Sequence, residues 1–232
     1  MIQKILKNKL LETKLMMSHA RRNEIRKHLN YYSGVSTEQY ISNYFSGDAF
    51  SEIPPSMTNF TRKFINKISR IYSLGAKRNV DNFTKRYEAL IPTKDVRMKH
   101  SERMTRLLGT IANRVHWRDN YFDYRPIYYF EAYFGENPFV PTAIVYPLLN
   151  NTADLSNTDN LQWEYWDSEK YGIMNEDGKM MEELENPYGM LPFVFTHRED
   201  QLDSFFVEGA SDVVNCNEQV NIALTEMNLG MR

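Results

Sequence analysis

Residues 186–232 read NPYGMLPFVFTHREDQLDSFFVEGASDVVNCNEQVNIALTEMNLGMR, and this stretch predicts a turn, a strand, a loop and a helix in succession. Pro187 fixes its own φ and Gly189 can take positive φ without steric cost, so the first four residues predict a turn. The apolar run 190–195 predicts a short buried strand, and the polar run 196–204 predicts a loop.

A helix follows the sequence GASD at 209–212, with Ser211 as the expected N-cap and Asp212 beside the positive end of the helix dipole. Apolar residues recur at three- and four-residue steps, which predicts one buried stripe: Val213, Cys216, Val220, Ala223, Leu224 and Met227. Asn217 and Asn221 fall on other faces. Cys216 is the only cysteine, which excludes an internal disulfide and a multi-cysteine zinc site, and its place on the stripe predicts a core residue.

The composition is that of a globular protein, with 42% hydrophobic and 25% charged residues in a chain of 232. No apolar run approaches the roughly 18 residues that a membrane span needs. Lys4, Lys7 and Lys9 interrupt the apolar residues at the start of the chain, which excludes the apolar core of a signal peptide. We therefore expect a protein with no membrane partner that folds in the cytoplasm.

Charge is distributed unevenly along the chain. Residues 1–116 hold 22 Lys and Arg against 9 Asp and Glu, a net charge of +13, whereas residues 117–232 hold 6 against 21, a net charge of −15. This asymmetry indicates either a basic half that meets nucleic acid or two halves that attract each other, within one subunit or between neighbours.

The first half predicts four helices, at residues 3–32, 59–74, 81–90 and 101–117. The first is rich in basic residues, which suits either a solvated peripheral helix or a basic arm that contacts nucleic acid or an acidic neighbour. The last contains Gly109, which predicts a close contact with another helix.

The helix at 59–74 gives the candidate site. Thr58 or Asn59 can cap it, and its predicted buried stripe is Phe60, Phe64, Ile68, Ile71 and Tyr72. The other side of this helix and the residues after it carry a basic set: Arg62, Lys63, Lys67, Arg70, Lys77 and Arg78. Such a face is either solvated or in contact with phosphates or a neighbouring subunit.

After residue 117 the sequence becomes strand-like. Aromatic and β-branched segments separated by Gly, Pro and polar residues predict strands at 126–133, 143–148, 161–166, 169–174 and 179–184. The Asp177-Gly178 dipeptide between the last two predicts a hairpin turn. The sequence as a whole therefore predicts an α+β fold, in which a helical N-terminal half packs on a mainly antiparallel β region and an amphipathic helix follows.

Motifs for catalysis are absent. The sequence contains no glycine-rich phosphate loop, no His-Glu-x-x-His and no Gly-x-Ser-x-Gly, and we expect neither a metal nor a cofactor. One cluster combines a histidine with carboxylates: His197, Glu199, Asp200 and Asp203, with Glu208 further on. A metal-dependent nuclease could use such groups. Their setting in an acidic polar loop favours a solvated loop instead, and nothing in the sequence requires an enzyme.

Several motifs resemble, in their order, the wing of the portal proteins of tailed bacteriophages. They are a basic first helix, the Tyr31-Tyr32-Ser33-Gly34 turn, the Ile53-Pro54-Pro55 entry, the helix that starts at Asn59, the mid-chain helix, the hairpin, the NPYG turn, the strand containing Pro192 and the Gly-x-Ser-Asp start of the last helix. The resemblance divides the chain into a helical basic part of the wing (1–117), a β-rich acidic part (118–206) and a helix leading toward a stem and clip (207–232).

The resemblance implies a structural virion protein rather than an enzyme. Portal proteins form a ring, usually of twelve subunits, at one capsid vertex, and double-stranded DNA passes through its channel. The terminase motor, the major capsid protein and the tail or its adaptors would then be partners, with assembly in the host cytoplasm. Portal chains are normally longer, so the resemblance also implies that the stem and clip are missing from this chain. A different head-to-tail adaptor, or a nuclease built on the 199–203 loop, stays open as an alternative.

Overall fold

The structure is a computed structural model that describes residues 19–35, 37–45, 55–72, 76–77, 79, 84–91, 93–118, 120–148, 162–175 and 178–230. The helices in these ranges are α1 (His19–Ser33), α2 (Thr37–Ser42), α3 (Phe60–Ile68), α4 (Thr84–Leu90), α5 (Lys94–Leu108) and α6 (Ser211–Gly230). The strands are β1 (Thr110–Arg118), β2 (Tyr121–Ile127), β3 (Glu131–Phe134), β4 (Pro141–Pro147), β5 (Trp163–Asp167), β6 (Lys170–Met174), β7 (Met180–Glu185) and β8 (Phe193–His197). The α+β fold class, with helices first and a helix last, is confirmed.

The strands form two antiparallel sheets. The smaller has the order β2-β1-β8 and the larger β3-β4-β5-β6-β7. Strand β8 therefore returns to pair with β1 after the chain has built the whole larger sheet, in the register Asn113↔Val194. The predicted hairpin is confirmed as β6 and β7, with Gly178 at φ +72°.

The larger sheet separates two hydrophobic cores. Side chains alternate along a strand, so Val145 and Tyr165 face the helices while the neighbouring Ile144 and Trp166 face the other way. The first core joins these strands to residues of α1, α3 and α5 and to the first turns of α6. The second is rich in aromatic residues and includes Phe193 of β8.

A polar network connects the two sheets. Arg114 of β1 pairs with Glu164 of β5 (Nη1 to Oε1, 2.7 Å) and donates a hydrogen bond to the Tyr146 hydroxyl (2.8 Å). The guanidinium also lies 4.7 Å from the ring centre of Trp166, whose indole N–H donates to Glu164 (2.8 Å). Burial raises the pKa of Tyr146 far above its ordinary value, with Glu164 adding to the shift, so the phenol stays neutral.

The NPYG turn takes the predicted form and is fixed by its asparagine. Gly189 has φ +64°. The amide of Asn186 donates to the backbone oxygens of Asp167 (2.7 Å) and Met190 (2.9 Å), and its oxygen accepts from Tyr188 N (3.0 Å). One side chain thus ties the turn to the end of β5.

The predicted helix at 101–117 is wrong beyond Leu108. Residues 94–108 form α5, and Thr110–Arg118 form β1 at the centre of the smaller sheet. Gly109 ends the helix at φ +82°, a conformation that favours glycine. Gly109 does make a close contact, but the predicted partner, another helix, is wrong: a Cβ on Gly109 would lie 2.0 Å from the backbone oxygen of Val207, which is not in a helix. Other boundaries shift less, although the predicted strand 126–133 spans the end of β2, a turn and the start of β3.

The buried face of α6 is also not the predicted one. Val214, Asn217, Asn221, Ile222 and Thr225 are buried, whereas Cys216 and Met227 are exposed, so the prediction of a core cysteine is wrong. Ser211 is the first helical residue, and its hydroxyl donates to the Glu24 carboxylate instead of capping the helix. The predicted helix at 3–32 is confirmed over 19–33, and its residues 3–18 lie outside the described ranges. The division at residues 117 and 206 stays a prediction.

Candidate functional site: the exposed face of helix α3

Helix α3 starts at a side-chain cap that the sequence predicts. The Asn59 side-chain oxygen accepts a hydrogen bond from Arg62 N (2.9 Å), and its amide donates to the Tyr32 carbonyl of α1 (3.2 Å). The helix ends at Ile68, earlier than the predicted end at residue 74, and the N–H of the C-cap residue Ser69 donates to Ile65 O (3.0 Å). The cap therefore fixes the start of α3 and holds it against α1.

A buried asparagine of α6 fixes the first turn of α3. Asn217 is 1% exposed, and its side-chain oxygen accepts from Thr61 N (2.9 Å) and from the Thr61 hydroxyl (3.1 Å). Its amide donates to the Thr58 carbonyl (2.9 Å). Three hydrogen bonds therefore satisfy a side chain that would otherwise be costly to bury.

The next two turns of α6 repeat this arrangement on the segment that leads into α3. Asn221 accepts from Thr58 N (2.9 Å) and from the Thr58 hydroxyl (2.6 Å). Thr225 accepts from Ser56 N (3.0 Å). Asn217, Asn221 and Thr225 follow one another at four-residue steps, so they form a polar ladder that pairs with the backbone of residues 56–61.

A buried carboxylate fixes the chain after α3. Glu102 of α5 is 8% exposed and accepts from Ile71 N (3.1 Å) and Tyr72 N (3.4 Å). Both ends of the segment that contains α3 are thus held by polar side chains from other helices. Because both ends are held, α3 has one fixed orientation, and its outer face points toward solvent.

The structure places three of the six predicted basic residues on this outer face. Arg62, Lys63 and Lys67 are exposed on α3, and Arg70 and Lys77 are exposed beyond its end. Arg78 lies outside the described residues. In the part of the chain that the structure describes, Arg62, Lys63 and Lys67 have no ion-pair partner; Arg70 Nε donates to the Lys67 carbonyl (2.7 Å). Three cations on nine residues therefore remain available to an acidic partner.

The predicted apolar stripe of α3 is not buried, which is the main correction to the site. Phe60, Phe64, Ile68 and Ile71 are between 41% and 65% exposed, and the residues buried on α3 are Thr61 and Ile65. The physical reason is the polar ladder, because hydrogen bonds to the Thr61 backbone turn the threonine side of the helix inward. Basic and apolar side chains consequently share one solvent-facing surface.

A second polar site lies where α1 meets the start of α6. Glu24 and His28 of α1, together with Arg21 and Glu208, line a cavity of about 220 Å³. Ser211 of α6 contacts both Glu24 and His28. His28 Nε2 lies 3.4 Å from the Ser211 oxygen and 3.7 Å from Glu24 Oε1. Burial lowers the pKa of His28, while Glu24 and a hydrogen bond to the Leu107 backbone act in the opposite direction. No sequence signal predicts this site, because Ser211 lies more than 180 residues from Glu24 and His28 and the three residues form no motif.

The contacts among Glu24, His28 and Ser211 have the geometry of a structural link between helices, not that of a nucleophile site. In a serine nucleophile site the carboxylate binds the imidazole nitrogen that is remote from the serine. Here Ser211 and Glu24 both lie near the same nitrogen, Nε2 of His28, and the serine hydroxyl donates to the Glu24 carboxylate rather than to the imidazole. The contacts join α1 to α6 across the start of the latter helix.

The histidine and carboxylates of the 197–203 region do not converge. His197 Nδ1 pairs with the Thr110 hydroxyl (3.1 Å), its ring contacts Phe205 edge-on, and burial lowers its pKa. Glu199, Asp200 and Asp203 are exposed. Across the described ranges, no group of three His, Cys, Asp or Glu side chains is placed to hold a metal ion.

None of the described helices is long and apolar enough to cross a membrane. Comparison of the sequence with protein-family models finds no match. Comparison with curated proteins likewise finds no similar sequence.

Proposed function

We propose that this chain is the wing portion of a bacteriophage portal protein. It would form a ring at one capsid vertex, with double-stranded DNA passing through the channel. The terminase motor, the major capsid protein and the tail or its adaptors would be its partners, and the ring would assemble in the host cytoplasm before it becomes part of the virion. The role is structural, and the chain itself would catalyse no reaction.

The observation that carries the proposal is the outer face of α3. Three cations without described ion-pair partners lie beside three exposed apolar side chains on a helix whose orientation is fixed by buried hydrogen bonds. A rigid surface of this composition suits a permanent partner better than bulk solvent, because interfaces favour aromatic residues and arginine while monomers rarely expose apolar patches. The motif order of the sequence supports the same function.

The test is the mass and symmetry of the assembled protein. Negative-stain microscopy and native mass spectrometry should show rings of about twelve subunits with a central hole. A compact monomer or a closed dimer at high concentration would refute the portal function. Replacement of the six basic residues by Glu should impair ring assembly or the retention of DNA in particles, and unchanged behaviour in both would remove the basic set from the proposal.

A further inference from the structure

Strand β7 is a second exposed surface, with the opposite charge. It is the last strand of the larger sheet, so one of its edges has no neighbouring strand in the sheet order. Its residues from Met181 to the end are exposed, including Met181 at 60% and Leu184 at 54%. Glu182, Glu183 and Glu185 give it three carboxylates and no cation. Exposed strand edges are normally blunted by charges or covered by another element.

The charges on β7 are only partly compensated within the chain. Lys170 of β6 lies 2.5 Å from Glu183, whereas Glu182 and Glu185 have no ion-pair partner in the part of the chain that the structure describes. Among the described residues, two carboxylates on this edge therefore have no cation partner, and Lys63 and Lys67 on α3 have no anion partner.

The two surfaces are complementary in charge and similar in their exposed apolar side chains. Helix α3 carries three cations and no carboxylate, and β7 carries three carboxylates and no cation. Each also exposes large apolar side chains between its charges. The nine residues of α3 span roughly 13 Å, and the six of β7 roughly 20 Å, so one helix can cover most of one edge.

We propose that α3 of one copy of the chain covers the β7 edge of the next copy. Because the two surfaces differ, the contact is head-to-tail, and repetition of it gives a closed ring or an open filament. Closure into a ring rests on the proposed function; the pairing of the two surfaces does not. Contact with DNA phosphates would satisfy Lys63 and Lys67 but would leave Phe60 and Phe64 in water, so the composition of the face favours a protein partner.

The experiment reverses the charge of each surface separately. One variant carries Lys63→Glu and Lys67→Glu, and the other carries Glu182→Lys and Glu185→Lys. Each variant opposes like charges at its own contact, so association should weaken by at least about a hundredfold. Circular dichroism and thermal melting should show native folding, because all four side chains are exposed.

Mixing the two variants gives the decisive readout. In an equimolar mixture every contact can again pair opposite charges, provided that the two variants alternate. Native mass spectrometry should then recover assemblies with equal numbers of each variant. As a matched control, Lys85→Glu with Arg86→Glu makes the same charge change on the exposed side of α4 and should leave assembly unchanged.

The outcomes separate this inference from the proposed function. Rings that form equally well with either variant, or variants that do not reassemble on mixing, would overturn the α3–β7 contact and leave the ring intact. Open filaments that respond to both variants and to mixing would support the contact and refute the portal ring. A Lys63→Glu/Lys67→Glu variant that assembles normally and loses DNA binding in a gel shift would reassign α3 to DNA.

Discussion

Replacement of Asn217 by Ala is the sharpest test of how α6 is oriented. The sequence pattern places Cys216 in the core and Asn217 on another face, whereas the structure exposes the cysteine and buries the asparagine. Asn217→Ala removes three hydrogen bonds and leaves the N–H of Thr61 and the carbonyl of Thr58 without this partner. At roughly 1 kcal/mol for each bond, the free energy of unfolding should fall by about 3 kcal/mol. This is a large share of the 5–15 kcal/mol typical of a domain.

Urea denaturation followed by circular dichroism measures this loss, as a lower midpoint with an unchanged slope. The control is Cys216→Ala on the neighbouring residue, which should change the free energy of unfolding by less than about 0.5 kcal/mol because its side chain is exposed. A double-mutant cycle with Thr61→Val should give a coupling near 1 kcal/mol for the hydroxyl bond. A loss below about 1 kcal/mol for Asn217→Ala, or a larger loss for Cys216→Ala, would refute the orientation of α6 described above.

Three further predictions follow from burial, charge and backbone geometry. Ile65→Ala should destabilise the protein by about 2–5 kcal/mol and Phe64→Ala by less than about 1 kcal/mol, since Ile65 is buried and Phe64 is about half exposed; equal losses would contradict the exposed face of α3. The folded-state pKa of His28 is below its ordinary value of 6.5, so the contribution of His28 to stability is full above pH 6.5 and is lost as the pH falls. In urea melts below pH 6.5, the free energy of unfolding of the wild type should therefore fall by up to about 1.4 kcal/mol more per pH unit than that of His28→Gln. Parallel pH dependences of the two proteins would refute this. Gly109→Ala should cost more than about 3 kcal/mol or abolish soluble expression, because its Cβ would overlap the Val207 oxygen; a variant with a native melting temperature would refute the positive φ at residue 109.

The sequence predicts elements best where the chemistry is local. The NPYG turn, the Asp-Gly hairpin and the Asn59 cap all appear in the structure, because each depends on residues within a few positions of one another. The same local reasoning could have predicted the end of α5, although the helix predicted at 101–117 extends beyond it. Gly109 is a good helix terminator, and the residues that follow it are rich in the β-branched and aromatic side chains that favour strands.

Local sequence patterns could not predict which faces of α3 and α6 are buried. Apolar periodicity predicts the wrong buried face for both helices because it counts hydrophobic side chains only. Asn217 and Asn221 are buried because they meet the backbone of residues 58–61, about 160 residues earlier in the chain. No periodicity within α6 encodes that partner. The basic residues of the candidate site that the structure describes are exposed, as their residue type favours, and their role as a contact stays a prediction.

The return of β8 to β1 has a consequence for the order in which the protein can fold. Strands β1 and β2 are joined by a tight connection, with Arg118 opposite Tyr121, and can pair as soon as both have left the ribosome. The other edge of β1 must wait for Val194, 81 residues after Asn113. Closing a loop of that length costs about 2–3 kcal/mol more than closing a short hairpin, so β8 should join late. Until then β1 exposes a free edge during synthesis, and this interval is when the growing chain is most open to pairing with a second copy of itself.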